Sequence, residues 1–250
     1  MRKLTLVLAV LTAAPVHALS QNGWDDPFAA HQVMDNLYFV GTGGLGTFLI
    51  TTPEGHILIN TDFERTIPLI KQSVEAMGFH LDDVEIILGS HAHGDHQAAD
   101  LFLKDAIGAQ VMILEEDLAG WQRMMGGKGD LPDRILHDGD EVTLGGTTLV
   151  AHRTPGHTRG CTSWGMELEE GGETYQALIV CSFGVNPNYR LVDNLNYPDI
   201  AADYRSTFAK ARAMPVDVFV ASHGSFYDLP TKYDALQRRR RGDPHPFVDR

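Results

Sequence analysis

The feature that most constrains this chain is a histidine-rich motif placed directly after an apolar segment. Val84–Leu88 has the length and composition of a buried β-strand, and it leads into Ser90–His96, which reads Ser-His-Ala-His-Gly-Asp-His. Three imidazoles and one carboxylate within such a short stretch predict a metal site. Nitrogen and carboxylate donors favour zinc over calcium or magnesium, although ligand type alone leaves iron and manganese open.

The spacing within the motif predicts two metal positions side by side. Alternate side chains of an extended segment share a face, so His91 and His93 can bind one cation. Gly94 then lets the chain turn and direct Asp95 and His96 towards a second cation. A chance cluster of surface histidines is the alternative interpretation.

Two later histidines, each in a tight turn after a predicted strand, supply the remaining ligands. His157 lies within Thr-Pro-Gly-His-Thr, and His223 lies within Ala-Ser-His-Gly. The predicted ligands of the first metal are His91, His93 and His157, and those of the second are Asp95, His96 and His223. Each set leaves coordination positions for water or substrate, which is typical of catalytic metal sites. Water ionised between two metals is a nucleophile at neutral pH, so the predicted reaction is hydrolysis, with Asp95 as the catalytic carboxylate.

Composition and the first residues indicate an exported globular protein. The 250-residue chain is 43% hydrophobic and carries a formal charge of −13, which disfavours a nucleic-acid partner. Arg2 and Lys3 precede an apolar run, Leu4–Ala14, and small residues near Ala18. We therefore expect a signal peptide over 1–18, a single domain over 19–250 and a periplasmic location. A membrane anchor is the alternative, but the run is well short of the roughly 20 residues that span a bilayer.

The only two cysteines, Cys161 and Cys181, can pair across a predicted hairpin. If Thr162–Glu167 and Tyr175–Cys181 are its strands, joined around Gly171-Gly172, the two thiols lie nearly opposite each other. An exported protein permits a disulfide, and two buried free thiols are the alternative.

The segment Gly41–Gly46 spells G-x-G-x-x-G, the pattern of a dinucleotide-binding turn. Such a site requires a helix after the glycines, whereas Thr47–Ile50 is β-branched and apolar. We therefore predict a glycine turn between strands. Further along, Glu64–Met77 carries apolar residues at helical spacing and stops at Gly78, which predicts a helix with one buried face.

The histidine motif, the turn around His157 and the terminal His223 resemble the metallo-β-lactamase superfamily, whose fold is a four-layer αββα sandwich of the α/β or α+β class. Further stretches are similar to the third subclass of class B β-lactamases: Tyr38–Thr42, Phe48–Gly55, parts of Asn186–Val192 and parts of Ala202–Phe208. The resemblance implies a periplasmic enzyme with two Zn²⁺ per chain that hydrolyses β-lactam antibiotics, confers resistance, acts as a monomer and has no membrane partner. Related hydrolases of other esters carry a bridging Asp where this chain has Cys181-Ser182-Phe183.

Three departures from that family pattern keep a second function open. Only Leu131-Pro132 separates Asp130 from Asp133, so a loop beside the expected substrate groove is short. Val216 replaces a common cysteine, and relatives continue beyond Arg250 with a further helix. The alternative is a di-metal hydrolase of another ester, lactone or thioester on the same fold, and a non-enzymatic metal-binding module was the third candidate.

Residues around the predicted groove are candidates for contact with substrate. They are Trp24, Lys128, Ser182, Asn186 and Ser225. Lys128 is the only cation in the loop Gly126–Pro132 and can pair with a substrate carboxylate, although a solvated surface lysine is the alternative. The other histidines lack a strand-end context and are predicted to be structural or surface residues: His31, His56, His80, His137, His152 and His245.

Overall fold

Two β-sheets form the centre of the molecule. The computed structural model describes residues 23–127 and 131–249, so the predicted signal peptide and Lys128 lie outside the described residues. The first sheet has the strand order β1-β2-β3-β4-β5-β6-β7, and the second has the order β12-β11-β10-β9-β8. The strands are β1 His31–Met34, β2 Leu37–Phe39, β3 Phe48–Thr52, β4 Gly55–Ile59, β5 Val84–Leu88, β6 Gln110–Leu114, β7 Arg134–Leu136, β8 Glu141–Leu144, β9 Thr147–Arg153, β10 Thr162–Glu170, β11 Glu173–Val180 and β12 Val218–Ala221.

Helices connect and cover these strands. They are α1 Ile67–Ala76, α2 Gly94–Gln97, α3 Asp100–Ile107, α4 Leu118–Met124, α5 Ile200–Ala213 and α6 Leu229–Arg238. Strands β1 to β4 are antiparallel neighbours, whereas β4 to β7 run parallel and are joined through helices. In the second sheet only β11 and β12 are parallel. No helix in the described ranges is both long and apolar enough to cross a membrane.

The side chains sort into the layers that the resemblance predicts. One apolar cluster fills the space between the two sheets and includes Phe48, Trp164 and Val220. A second cluster lies on the outer face of the first sheet, where Ile70 of α1 and Trp121 of α4 pack against the sheet. Helix α5 packs against the loop that follows β9, where Thr207 donates a hydrogen bond to the carbonyl of Pro155 at 2.6 Å. The predicted αββα sandwich is confirmed.

The predicted elements agree with the structure wherever apolar periodicity is strong. Strand β5 has the predicted bounds. The sequence also predicts a strand over Gln110–Leu114 and a helix over Ile200–Ala213, and β6 and α5 have these bounds. The sequence also predicts a helix over Ala98–Ala106, after the histidine motif. In the structure this helix, α3, begins later, at Asp100, because the short helix α2 occupies Gly94–Gln97 just before it. Strands β1 and β7 were not predicted, since four residues and three residues are too few to show an alternating pattern.

The glycine-rich stretch Gly41–Gly46 is a turn that leads into β3, as predicted. A side chain at Gly46 would come within 2.2 Å of the carbonyl oxygen of Ala221. Because that position is bare, the amide of Gly46 reaches the carbonyl of Ser222 at 2.8 Å. The turn therefore supports the segment that carries His223, and a strand follows it where a dinucleotide-binding turn is followed by a helix.

The predicted disulfide between Cys161 and Cys181 is present. Strands β10 and β11 form the expected hairpin, and the two cysteines lie just beyond its open end with their Cα atoms 5.8 Å apart. Both residues are fully buried.

Candidate metal centre

Three separate segments bring the predicted ligands together. His91 and His93 follow β5 directly, while Asp95 and His96 lie in α2. His157 lies in the loop between β9 and β10, and His223 follows β12. In α/β sheets, sites gather at the carboxyl ends of strands, which is where β5 and β12 place their histidines.

The first predicted set is compact. His91, His93 and His157 each offer a nitrogen, and these three nitrogens lie within 4.8 Å of one another. His91 is 2% exposed, and its Nε2 atom has no hydrogen-bond partner among the described residues. A buried polar atom without a partner is costly, so this nitrogen fits the role of a metal ligand.

The second predicted set has the spacing of ligands around one small cation. His96 Nε2 lies 3.2 Å from Asp95 Oδ2 and 3.2 Å from His223 Nε2. His223 Nε2 lies 3.6 Å from Asp95 Oδ2. Tetrahedral zinc with bonds near 2.0 Å holds its ligands about 3.3 Å apart, which these distances approach.

Contacts on the far side of the rings fix which nitrogen faces the centre. His157 Nδ1 is 3.2 Å from the carbonyl oxygen of Gly184, and His223 Nδ1 is 3.1 Å from that of Gly44. Each ring therefore donates its Nδ1–H outwards and keeps Nε2 as a free acceptor. Such partners orient metal-binding histidines and fix their tautomer.

The surroundings hold the donors in the protonation states that a cation requires. Burial lowers the pKa of His157 and of His223 to about 4, and it lowers the pKa of His93 and especially His91. For Asp95, burial acts in the opposite direction, but the hydrogen bond and charge of His96 outweigh it and the pKa is lowered. At neutral pH these four histidines are thus neutral and Asp95 is ionised, which fits metal ions.

Two of the candidate substrate contacts border this centre. The indole of Trp24 lies roughly parallel to the His223 ring, with ring centroids 6.3 Å apart. Trp24 and Ser225 line one cavity of about 400 Å³ next to His223. Phe226, which was not among the predicted contacts, also lines this cavity; its ring centroid lies 5.0 Å from that of His223, and the residue is 43% exposed.

The other candidates lie behind or beside His157. Ser182 is 1% exposed, and its hydroxyl accepts the amide of Gly184 at 3.2 Å. The amide of Tyr189 donates to the carbonyl of Asn186 at 2.9 Å, and the Tyr189 ring lies 5.7 Å from that of His157. Ser182 is therefore placed to support His157, and substrate contact by Ser182 or Asn186 stays a prediction.

Sequence reasoning also missed a buried carboxylate, Asp117, which contacts the loops that carry the first set of ligands. Its only signal was its place before an apolar helix, where an acidic residue normally signals a helix N-cap. Of the remaining histidines, His31, His56 and His245 are buried away from the centre, and a larger cavity of about 660 Å³ beside His152 contains none of the predicted ligands.

Comparison with known proteins identifies the class. The family model of the metallo-β-lactamase superfamily matches residues 47–223, and the chain belongs to this superfamily. Its structure is similar to that of the FEZ-1 metallo-β-lactamase of Legionella gormanii, with 43% identity, a TM-score of 0.84 and coverage of 90% of this chain and 89% of that one. The resemblance to the third β-lactamase subclass is confirmed.

Two further structures support the same assignment. The subclass B3 enzyme BJP-1 of Bradyrhizobium japonicum is 38% identical with a TM-score of 0.82, covering 91% of this chain and 88% of that one. The class B3 di-zinc enzyme LRA-12 from an Alaskan soil metagenome is 31% identical with a TM-score of 0.81, covering 93% of this chain and 91% of that one.

Curated relatives match over smaller shares. A probable metallo-hydrolase of Burkholderia pseudomallei is 33% identical over 32% of this chain, and the match spans 31% of its own length. The lactamase-like protein vrtG of Penicillium aethiopicum is 26% identical over 76% of this chain and 54% of its own length.

Proposed function

We propose that this protein is a zinc-dependent β-lactamase that opens the four-membered amide of β-lactam antibiotics. The observation that carries the proposal is the convergence of two adjacent donor sets, with the His91 and His96 ring centroids 4.3 Å apart. The similarity to β-lactamases of the third subclass over about nine-tenths of the chain supports the choice of substrate.

The donor chemistry favours two zinc ions per chain. His91, His93 and His157 would hold one, and Asp95, His96 and His223 would hold the other. Bound zinc lowers the pKa of water and stabilises charge that develops on a carbonyl oxygen or a leaving nitrogen. Histidine nitrogen with few carboxylates is a ligand set that suits zinc.

The chain's own groups orient the reactants. Asp95 remains ionised at neutral pH and is half-buried at the mouth of the centre, so its carboxylate can accept a hydrogen bond from the attacking water and orient it. Trp24 and Phe226 exclude solvent on the side of His223, where an apolar substituent of the substrate can lie.

The remaining substrate contacts are polar. Ser225 and Asn186 would hydrogen bond the substrate, and Lys128 would pair with its carboxylate. Ser182 would act through the loop at Gly184. In the cell we propose export to the periplasm, action as a monomer and a role in β-lactam resistance.

Hydrolysis of a chromogenic cephalosporin by the purified protein tests the proposal. We expect turnover that is abolished by a chelator and restored by zinc, with close to two zinc ions per chain by elemental analysis. His91→Ala should lose the activity, whereas His80→Ala, which changes an exposed histidine outside the centre, should retain it.

Two further substrates separate β-lactamase activity from the alternative reaction. An acyl-homoserine lactone and S-lactoylglutathione present an ester and a thioester to the same centre. Faster zinc-dependent hydrolysis of either one than of any β-lactam would replace the proposal with the second function. No hydrolysis of any of the three by the zinc-loaded protein would reject an enzymatic role for these substrates.

A further inference from the structure

Asp117 occupies a helix start without capping the helix. It is the N-cap residue of α4, a position where aspartate normally accepts a hydrogen bond from the first turn, yet its side chain makes no such bond. The residue is 5% exposed. Its carboxylate is therefore directed towards partners outside its own helix.

Those partners belong to the two loops that carry the first set of ligands. The amide of Ala92 donates to Asp117 Oδ2 at 2.9 Å, and the hydroxyl of Thr158 donates to the same oxygen at 2.7 Å. The amide of Gly160 donates to Asp117 Oδ1 at 2.7 Å. Ala92 stands between two predicted ligands, His91 and His93, and Thr158 directly follows the third.

Close packing at both loops keeps this arrangement tight. A side chain at Gly160 would lie 2.5 Å from the backbone nitrogen of Asp117, so only a glycine allows the loop to approach. On the next turn, a Cβ at Gly120 would lie 3.2 Å from the Cβ of Ala92. Both loops therefore pack against the start of α4, and the carboxylate of Asp117 lies between them.

We propose that Asp117 is a positioning residue that sets the separation of His91 and His93 from His157, and thereby the affinity of the first metal position. The proposal rests on the metal-dependent function above. The second set has anchors of its own, since the carbonyl of His96 accepts the amide of Thr61 at 2.8 Å and His223 is held by the carbonyl of Gly44. The effect of Asp117 is therefore specific to one of the two positions.

Substitution by asparagine removes one of the two acceptor oxygens while keeping the shape of the side chain. An amide has one acceptor oxygen and an NH₂ group that only donates. If the oxygen faces Ala92 and Thr158, the NH₂ group opposes the amide of Gly160; if it faces Gly160, the amide of Ala92 loses its partner. Either orientation leaves a buried amide unpaired, and the loops must move apart to relieve it.

Other contacts keep the loops folded in this variant. The amide of Thr162 donates to the carbonyl of Ser90 at 2.8 Å, and the indole of Trp164 donates to the carbonyl of Gly89 at 3.1 Å. The expected consequence is a change in ligand spacing, with the fold retained.

Zinc affinity measured without substrate tests the proposal, using Asp117→Asn, Thr158→Val and the control Asp133→Asn. Asp133 also accepts a backbone amide, that of Val111 at 2.8 Å, but lies outside the centre. Competition with a chromophoric chelator gives both dissociation constants, and His157→Ala supplies the behaviour of a protein that lacks a first-set ligand. Absorption spectra of the cobalt-substituted proteins report the ligand geometry directly.

We expect Asp117→Asn to weaken the first position by about 10- to 100-fold and to shift the cobalt bands, while the second position and the control keep the parent values. Thr158→Val, which removes a single donor, should show a smaller shift in the same direction. Parent affinity and spectrum in Asp117→Asn, or equal weakening of both positions, would overturn the proposal. If Asp117→Asn does not fold, Thr158→Val alone tests the proposal. An unchanged zinc affinity of its first position would then overturn the proposal. Because no β-lactam enters these measurements, failure of the proposed activity leaves their result intact.

Discussion

Removal of the Cys161–Cys181 disulfide should destabilise the protein strongly while leaving its two metal positions in place. The bridge joins the start of β10 to the residue after β11, and both cysteines are fully buried. The perturbation that isolates the bridge is the double variant Cys161→Ala/Cys181→Ala, because alanine adds neither a thiol nor a buried hydroxyl.

The magnitude follows from the length of chain that the bridge closes. The cysteines are 20 residues apart in sequence. In the chain-entropy model a loop of this length, when cross-linked, destabilises the unfolded state by about 3 kcal/mol. For a protein of this size each kcal/mol corresponds to about 2–4 °C in melting temperature, so the expected decrease is about 6–12 °C.

The position of the bridge gives a second expectation that concerns metal binding. Cys181 Sγ lies 3.5 Å from Nδ1 of His91, so a thiol freed by loss of the bridge would lie beside a predicted ligand of the first metal. The single variant Cys161→Ala leaves a free thiol there, and we expect its zinc content per chain to differ from that of the parent protein. The double variant has no thiol and should keep two zinc ions per chain.

Thermal unfolding followed by circular dichroism, in zinc-loaded and metal-free protein, measures the effect. Thiol titration under denaturing conditions should find no free thiol in the parent protein. A melting temperature of the double variant within about 2 °C of the parent value in both forms would refute the loop-entropy reasoning. Loss of zinc from the double variant alone would show instead that the sulfurs support His91 in the folded protein.

Four further substitutions test individual groups. His157→Ala should reduce β-lactam hydrolysis at least ~100-fold and lower the zinc content, because it removes a predicted ligand of the first metal. Asp95→Asn should be comparably damaging in activity assays while circular dichroism shows an intact fold, since this carboxylate is a predicted ligand of the second metal. Burial raises the pKa of Asp100 to about 7, so the folded state keeps a proton that the unfolded state releases near pH 3.9, and stability falls as pH rises between these values. Asp100→Asn should therefore gain stability relative to the parent between pH 4 and pH 7 in urea unfolding, and an equal difference at both values would contradict this. Lys128→Ala should raise the Michaelis constant for β-lactams and spare a neutral ester, and an equal effect on both would exclude pairing with the substrate carboxylate.

The sequence by itself determined the features that depend on neighbouring residues. The spacing within Ser90–His96 is a local property, since backbone geometry alone decides that His91 and His93 share a direction and that Gly94 permits a turn. The hairpin that brings Cys161 and Cys181 together is also local, because two strands joined by a glycine turn align their ends whatever packs around them.

Only the tertiary structure decided how distant segments meet. His223 is held by the carbonyl of Gly44, 179 positions away, and the reason that a glycine turn stands there is the approach of Gly46 to the carbonyl of Ala221. The periodicity of apolar residues carries no information about such a contact, because the contact depends on how the two sheets stack.

The partners of Asp117 are a second feature that the sequence alone does not predict. Its place before α4 predicts a helix cap, in which its carboxylate would accept a backbone amide of the first helical turn. In the folded chain the loops of Ala92 and Thr158 bring buried donors to that carboxylate, and pairing them outweighs a cap that solvent can replace. The sequence therefore specifies which groups can bind metal, whereas the packing of the loops specifies how far apart those groups are held.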